Sequence, residues 1–102
     1  MNEYKIMAVD DEPDILDLLE KTLNMEGFHH IIRAQNGTEA VSVCRKEKPD
    51  VVILDIMLPD MDGYEVCKQV RRFSHCPILF LSSKNDELDK LLRLAVGGPH
   101  YG

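Results

Sequence analysis

Val51-Val52-Ile53-Leu54-Asp55-Ile56-Met57-Leu58-Pro59-Asp60-Met61-Asp62-Gly63 decides the fold. Four apolar residues, two Val and one Ile among them, run without alternation into a single aspartate. An unbroken β-branched run of that length predicts a strand buried on both faces, as in a parallel sheet. Asp55 then stands at the carboxyl end of the strand, where open α/β sheets bind ligands. Pro59 and the Asp-Met-Asp-Gly cluster at 60–63 break the pattern and turn the chain toward a helix. The simplest reading makes Asp55 a strand terminator; the alternative, a functional carboxylate on a rigid rim, rests on the rest of the chain.

Upstream, residues 6–9 form a short apolar run of the same character, and it too ends in acid, Asp10-Asp11-Glu12. Pro13 suits the first turn of a helix, with Asp11 or Glu12 before it as a cap. Ile15, Leu16, Leu19 and Leu23 recur at helical spacing until Gly27, a stop signal. Residues 28–34 predict a weaker strand, with His29 and His30 at its start. Asn36-Gly37-Thr38 reads as a turn and cap, and Ala40, Val41, Val43 and Cys44 mark a second helix reaching Lys48. Downstream of the central run, residues 64–73 carry Val66, Val70 and Phe73 on one stripe, a third amphipathic helix. Residues 77–81 predict a fourth strand ending in Ser82-Ser83. Leu88, Leu91, Leu92 and Ala95 predict a fourth helix, closed by Gly97-Gly98. This β-α-β-α-β-α-β-α alternation implies an α/β doubly wound parallel sheet with helices on both faces and right-handed crossovers.

The whole chain, 102 residues, reads as one domain, and 44% hydrophobic with 29% charged residues is ordinary globular composition. Twelve basic against 18 acidic residues give a formal charge of −6. Such a balance predicts no direct nucleic-acid binding, since phosphate contacts need clustered Lys and Arg; Arg45-Lys46 and Arg71-Arg72 read as solvated helix faces. No apolar run approaches the ~18 residues of a membrane span, and residues 1–5 carry no signal-peptide pattern. The three cysteines, Cys44, Cys67 and Cys76, are odd in number and lack metal spacing, which fits a reducing cytoplasm. The four histidines show no ligand spacing.

In a doubly wound sheet the first and third strands are neighbours, so Asp10, Asp11 and Asp55 reach one rim. Three crowded carboxylates repel one another unless a cation neutralises them. Oxygen ligands without His or Cys select a hard ion, and Mg²⁺ suits so shallow a site. The competing reading has Asp10 and Asp11 merely capping the first helix, although a cap needs one acid. Ser82 places a hydroxyl on the same rim, as a turn former or as a donor to a phosphoryl oxygen.

Val9-Asp10-Asp11-Glu12-Pro13, the Leu54–Gly63 motif and Phe80-Leu81-Ser82-Ser83-Lys84 together resemble the receiver domain of bacterial two-component response regulators, in particular those preceding a winged-helix DNA-binding domain. The resemblance runs from about residue 5 to 101. It implies a flavodoxin-like fold and a phosphorelay role, with Asp55 accepting a phosphoryl group from a histidine kinase. It further implies that Asp10, Asp11, Asp55 and the backbone carbonyl of Met57 serve Mg²⁺, and that Ser82 and Tyr101 form the switch pair. The implied protein is a signalling module whose only catalysis is its own phosphorylation and dephosphorylation, regulating a transcriptional output.

The pattern departs at the C-terminus, where Gly97-Gly98-Pro99-His100-Tyr101-Gly102 replaces the family's acidic pair with Pro99 and His100. The family's following lysine, the remainder of its fifth strand and its fifth helix have no counterpart, so the sequence is expected to be truncated, with no output domain. An uncovered sheet face of a few hundred Å² at about 25 cal/mol per Å² is several kcal/mol, against a typical net stability of roughly 5–15 kcal/mol. Marginal stability, or self-association through the edge at 77–81, is therefore expected. Two enzyme-like or carrier readings fit less well. An aspartate-nucleophile phosphatase wants a second acid two residues past Asp55, where Met57 stands, and a flavin carrier would not place Asp10-Asp11-Glu12 against a phosphate. A receiver that binds a partner without being phosphorylated is the alternative within the family.

Overall fold

The computed structural model describes residues 4–81. They form β1 (Lys5–Val9), α1 (Pro13–Met25), β2 (His30–Ala34), α2 (Gly37–Glu47), β3 (Val51–Asp55), α3 (Gly63–Val70) and β4 (Ile78–Leu81). The four strands make one parallel sheet in the order β2-β1-β3-β4. The alternation predicts the parallel sheet, and the order, with β1 and β3 side by side, is the flavodoxin-like α/β arrangement that the resemblance implies. The expected fourth helix and the incomplete fifth strand and helix concern positions outside the described residues.

Both central strands are sandwiched, which explains their unalternated sequences. Ile6 and Ala8 of β1 and Ile53 of β3 join Leu16, Leu19 and Leu23 of α1 in one core. Met7, Val9, Val52 and Leu54 point the other way, into a second core with Ala40 and Cys44 of α2 and Val66 and Val70 of α3. At the amino ends of the strands, Lys5 N–H donates to Asp50 Oδ2 and Asp50 N–H to Lys5 O, both at 2.8 Å. Beside them, on the α1 face, Leu23, Phe28, Val51, Pro77 and Leu79 help line a groove of about 620 Å³. No helix among the described residues is long and apolar enough to cross a membrane.

Several boundaries differ from the sequence expectation, each for a local reason. Neither Asp11 nor Glu12 caps α1: Glu12 occupies the N-cap, but its side chain makes no cap bond. A cap is worth about 1 kcal/mol, whereas each buried leucine contributes about 1.5–3 kcal/mol. Leu16 and Leu19, 1% and 0% exposed, therefore hold the helix with Pro13 at its start. α1 gives way to Gly27 at φ +96°, a conformation open to glycine. Phe28 falls outside β2, its N–H turned back to Leu23 O at 2.9 Å. α2 stops at Glu47, and Lys48 closes it in the left-handed region at φ 52°. α3 ends at Val70, so Phe73 leaves the stripe, and the Arg45 guanidinium lies 4.8 Å above its ring.

The cysteines follow packing. Cys44 is buried in the core between the sheet and α2, and burial pushes its thiol up to about 11. Cys67 and Cys76 are half-buried, and all three are free thiols.

Candidate functional site

Two loops at the carboxyl ends of β1 and β3 build the site, at the point where the strand order reverses. Asp10 follows β1 directly, and its N–H continues the ladder to Ala34 O at 3.1 Å. Its side chain is fully buried, and Oδ1 accepts the Glu12 N–H at 2.9 Å, which bends the chain sharply into α1. Asp11, between them, is left on the surface. Asp55 is the last residue of β3, 4% exposed, paired with Leu81. One carboxylate oxygen from each of Asp10, Asp11 and Asp55 lies within 4.8 Å of the other two.

That arrangement fits a hard divalent cation. The donors are all oxygen, two are held by buried side chains and the third opens to solvent, which leaves room for the waters Mg²⁺ retains. A helix cap does not explain it: the N-cap position belongs to Glu12, which is none of the three.

Met57, two residues beyond Asp55, donates its N–H to Asp55 Oδ1 at 3.2 Å, and its side chain is 74% exposed. It pairs with Asp62 in a single antiparallel bridge. Asp62 in turn caps α3, Oδ1 accepting the Glu65 N–H at 2.8 Å. Gly63 N–H donates to Ile56 O at 2.6 Å. A Cβ at Gly63 would stand 2.8 Å from Asp55 O and 2.9 Å from Ile56 Cα, so only glycine lets the chain fold back this closely beneath Asp55. Ser82 and Tyr101, the expected switch pair, lie outside the described residues.

Asp60 has a role that its neighbours in sequence do not announce. Its Oδ1 accepts the Gly37 N–H at 2.7 Å; its Oδ2 accepts the Thr38 N–H at 2.9 Å and the Thr38 hydroxyl at 2.7 Å. These bonds, the hydroxyl foremost, hold the exposed carboxyl down to a pKa of about 2. In sequence Asp60 looks like a turn former after Pro59. The one available signal is a helix start, Asn36-Gly37-Thr38, whose first amides need acceptors from elsewhere.

The comparisons with known proteins agree with this geometry. The family profile of the response regulator receiver domain matches residues 6–101. A two-component response regulator from Clostridium difficile is 32% identical over 95% of this chain and 79% of its own, with a TM-score of 0.75. The BeF₃-activated N-terminal receiver domain of Klebsiella pneumoniae RstA is 33% identical over 91% of this chain and 79% of its own, with a TM-score of 0.70. A Chloroflexus aurantiacus protein assigned to the response regulators is 34% identical over 89% of this chain and 76% of its own, with a TM-score of 0.73. With its parallel sheet, its acidic rim and these likenesses, the chain belongs to the response regulator receiver domain family.

Proposed function

We propose that the chain is a phosphoacceptor: a histidine kinase delivers a phosphoryl group to Asp55, and Asp10, Asp11, Asp55 and the Met57 carbonyl hold Mg²⁺. The single observation that carries the reading is the convergence of three carboxylates within 4.8 Å on one rim. In the transfer, an oxygen of Asp55 forms the bond to phosphorus as the phosphorus–nitrogen bond to the kinase imidazole breaks, and the departing nitrogen takes up a proton. Bound Mg²⁺ supplies charge neutralisation, for the acids and for the phosphoryl oxygens. The protein's own residues do the positioning. Burial fixes the Asp55 side chain, and the Met57 N–H orients one of its oxygens.

On this reading Ser82 and Tyr101 report the modification, and the protein acts in the cytoplasm on a transcriptional output through another domain. It has no catalysis beyond its own phosphorylation and dephosphorylation, and it makes no nucleic-acid contact itself. The RstA relative, named as BeF₃-activated, supports the chemistry, since that anion has the shape of a phosphoryl group.

Incubation with acetyl phosphate and Mg²⁺ is expected to add one phosphoryl group by intact mass, and Asp55→Ala to add none. Undiminished phosphorylation of Asp55→Ala would move the chemistry elsewhere. A wild-type chain that binds Mg²⁺ yet gains no mass would instead be a receiver that works by protein binding alone.

A further inference from the structure

We propose that Asp60 is a positioning residue for the acidic site: by gripping the start of α2, it fixes the path of the 56–62 loop and thereby the placement of Met57 beside Asp55. The inference rests on the phosphoacceptor reading above and extends it to a residue outside the rim.

Three observations carry it. First, the grip is long-range and fully used, since one carboxylate takes three donors from residues 22 and 23 positions away. Second, α2 already has its own cap. Asn36 Oδ1 accepts the Glu39 N–H and Glu39 Oε1 accepts the Gln35 N–H, both at 2.8 Å. Asp60 is therefore not required merely to start the helix; it takes the amides of Gly37 and Thr38, which Asn36 leaves over. Third, the neighbouring residue reinforces the grip. Met61 lies so close over Gly37 that a Cβ there would overlap its side chain, and Leu58 and Met61 both pack on the core beneath.

The loop is thus held to α2 through Asp60 and Met61, and to α3 through Asp62. Between these anchors and Asp55 lies Met57, joined to Asp62 by the antiparallel bridge and to Asp55 by its N–H. Releasing Asp60 frees one end of that span. The acids themselves stay in place, because Asp10 is held just past β1 by its N–H bond to Ala34 O and Asp55 by its pairing with Leu81 in β4.

The test compares Asp60→Ala with Asn36→Ala, which removes the helix's own cap without touching the loop. Mg²⁺ affinity is read from amide shifts, and the Mg²⁺ dependence of Asp55 phosphorylation by acetyl phosphate from intact mass. Thermal melts establish that each variant is folded. Asp60→Ala is expected to weaken Mg²⁺ binding about tenfold, the low end for loss of an outer support. Its phosphorylation rate should fall at low Mg²⁺ and recover at saturation. Asn36→Ala should lower the melting temperature and leave Mg²⁺ affinity unchanged. Thr38→Val, which removes one of the three bonds, should weaken Mg²⁺ binding about threefold, and it carries the test if Asp60→Ala does not fold. Equal Mg²⁺ affinities in Asp60→Ala, or in a Thr38→Val chain standing in for it, and in Asn36→Ala would overturn the proposal. Failure of the wild-type chain to take the phosphoryl group would overturn the phosphoacceptor reading instead, while the Mg²⁺ comparison still decides the role of Asp60.

Discussion

The two loops that carry the acids are built in opposite ways. The loop after β1 is three residues long and nearly self-contained: Asp10 bonds the Glu12 amide, and Pro13 starts the helix. The loop after β3 spans residues 56–62 and is tied to both neighbouring helices, through Asp60 to α2 and Asp62 to α3. A short loop inherits its geometry from the strand and helix it joins. A long one must be held from outside, and its residues become structural even where they touch no ligand. The first loop therefore spends its polar side chains on the rim, the second on its own anchorage.

Gly63→Ala breaks the long loop most severely, because the added methyl meets the backbone of Asp55 and Ile56, which cannot move aside. Overpacking against rigid atoms costs typically about 1–3 kcal/mol, so the urea midpoint should fall by that equivalent. An unchanged midpoint would mean that the loop yields where it looks fixed.

Asp11→Asn probes the short loop. Asp11 is exposed, and α1 takes no cap from it, so stability should hold within about 0.5 kcal/mol. Mg²⁺ affinity, followed by amide shifts, should drop nevertheless. Unaltered affinity would take Asp11 out of the ligand set.

Acid should also separate the loops. Asp60 is held down to about 2 in the folded chain, below the roughly 3.9 of an unfolded aspartate. Its contribution is thus fully present above about pH 4 and fades as pH falls toward 2. Urea unfolding at pH 5 and pH 3 should show the wild type losing more stability than Asp60→Asn between those values. Parallel loss in the two proteins would show that the bonds to Thr38 and Gly37 do not distinguish folded from unfolded chain.

Gly37→Ala should have the smallest effect. Its added methyl overlaps the Met61 side chain, which must swing away, and comes within 3.1 Å of Val66 Cγ2; offsetting this, alanine gains up to about 1 kcal/mol of helix propensity over glycine. A near-zero change in midpoint is expected. A loss as large as that of Gly63→Ala would mean that Met61 has no room to retreat.

The sheet and the acidic rim were legible because both rest on local signals. The apolar runs at 6–9 and 51–54 have no polar face, so they had to be sandwiched; a strand order with β1 beside β3 then brings Asp10, Asp11 and Asp55 together. The role of Asp60 was not legible, since its partners Gly37 and Thr38 lie more than twenty residues away and any turn after Pro59 could use an aspartate. The α1 start at Pro13, with Glu12 at the N-cap, was legible; the lack of a cap bond from the Glu12 side chain was not, since burial of Leu16 and Leu19 makes one dispensable. Phe73 misled because it keeps helical spacing one turn beyond the point where α3 ends.

Sandwiching has a further consequence, for register. A strand that is apolar on one side alone resists sliding, because a one-residue slip turns its greasy face to water. β3 has no such protection, since moving Val52 to where Ile53 stands exchanges one apolar face for another. Its alignment with β1 is fixed at the ends instead. Asp50 is locked to Lys5 at one end by two bonds of 2.8 Å, and Gly63 folds back beneath Asp55 at the other. The Val51–Asp55 strand behaves like a bolt seated by its two ends, with an interior that tolerates exchange among Val, Ile and Leu. The polar residue at its carboxyl end sits in place to within a fraction of the 3.3 Å step that separates one register from the next.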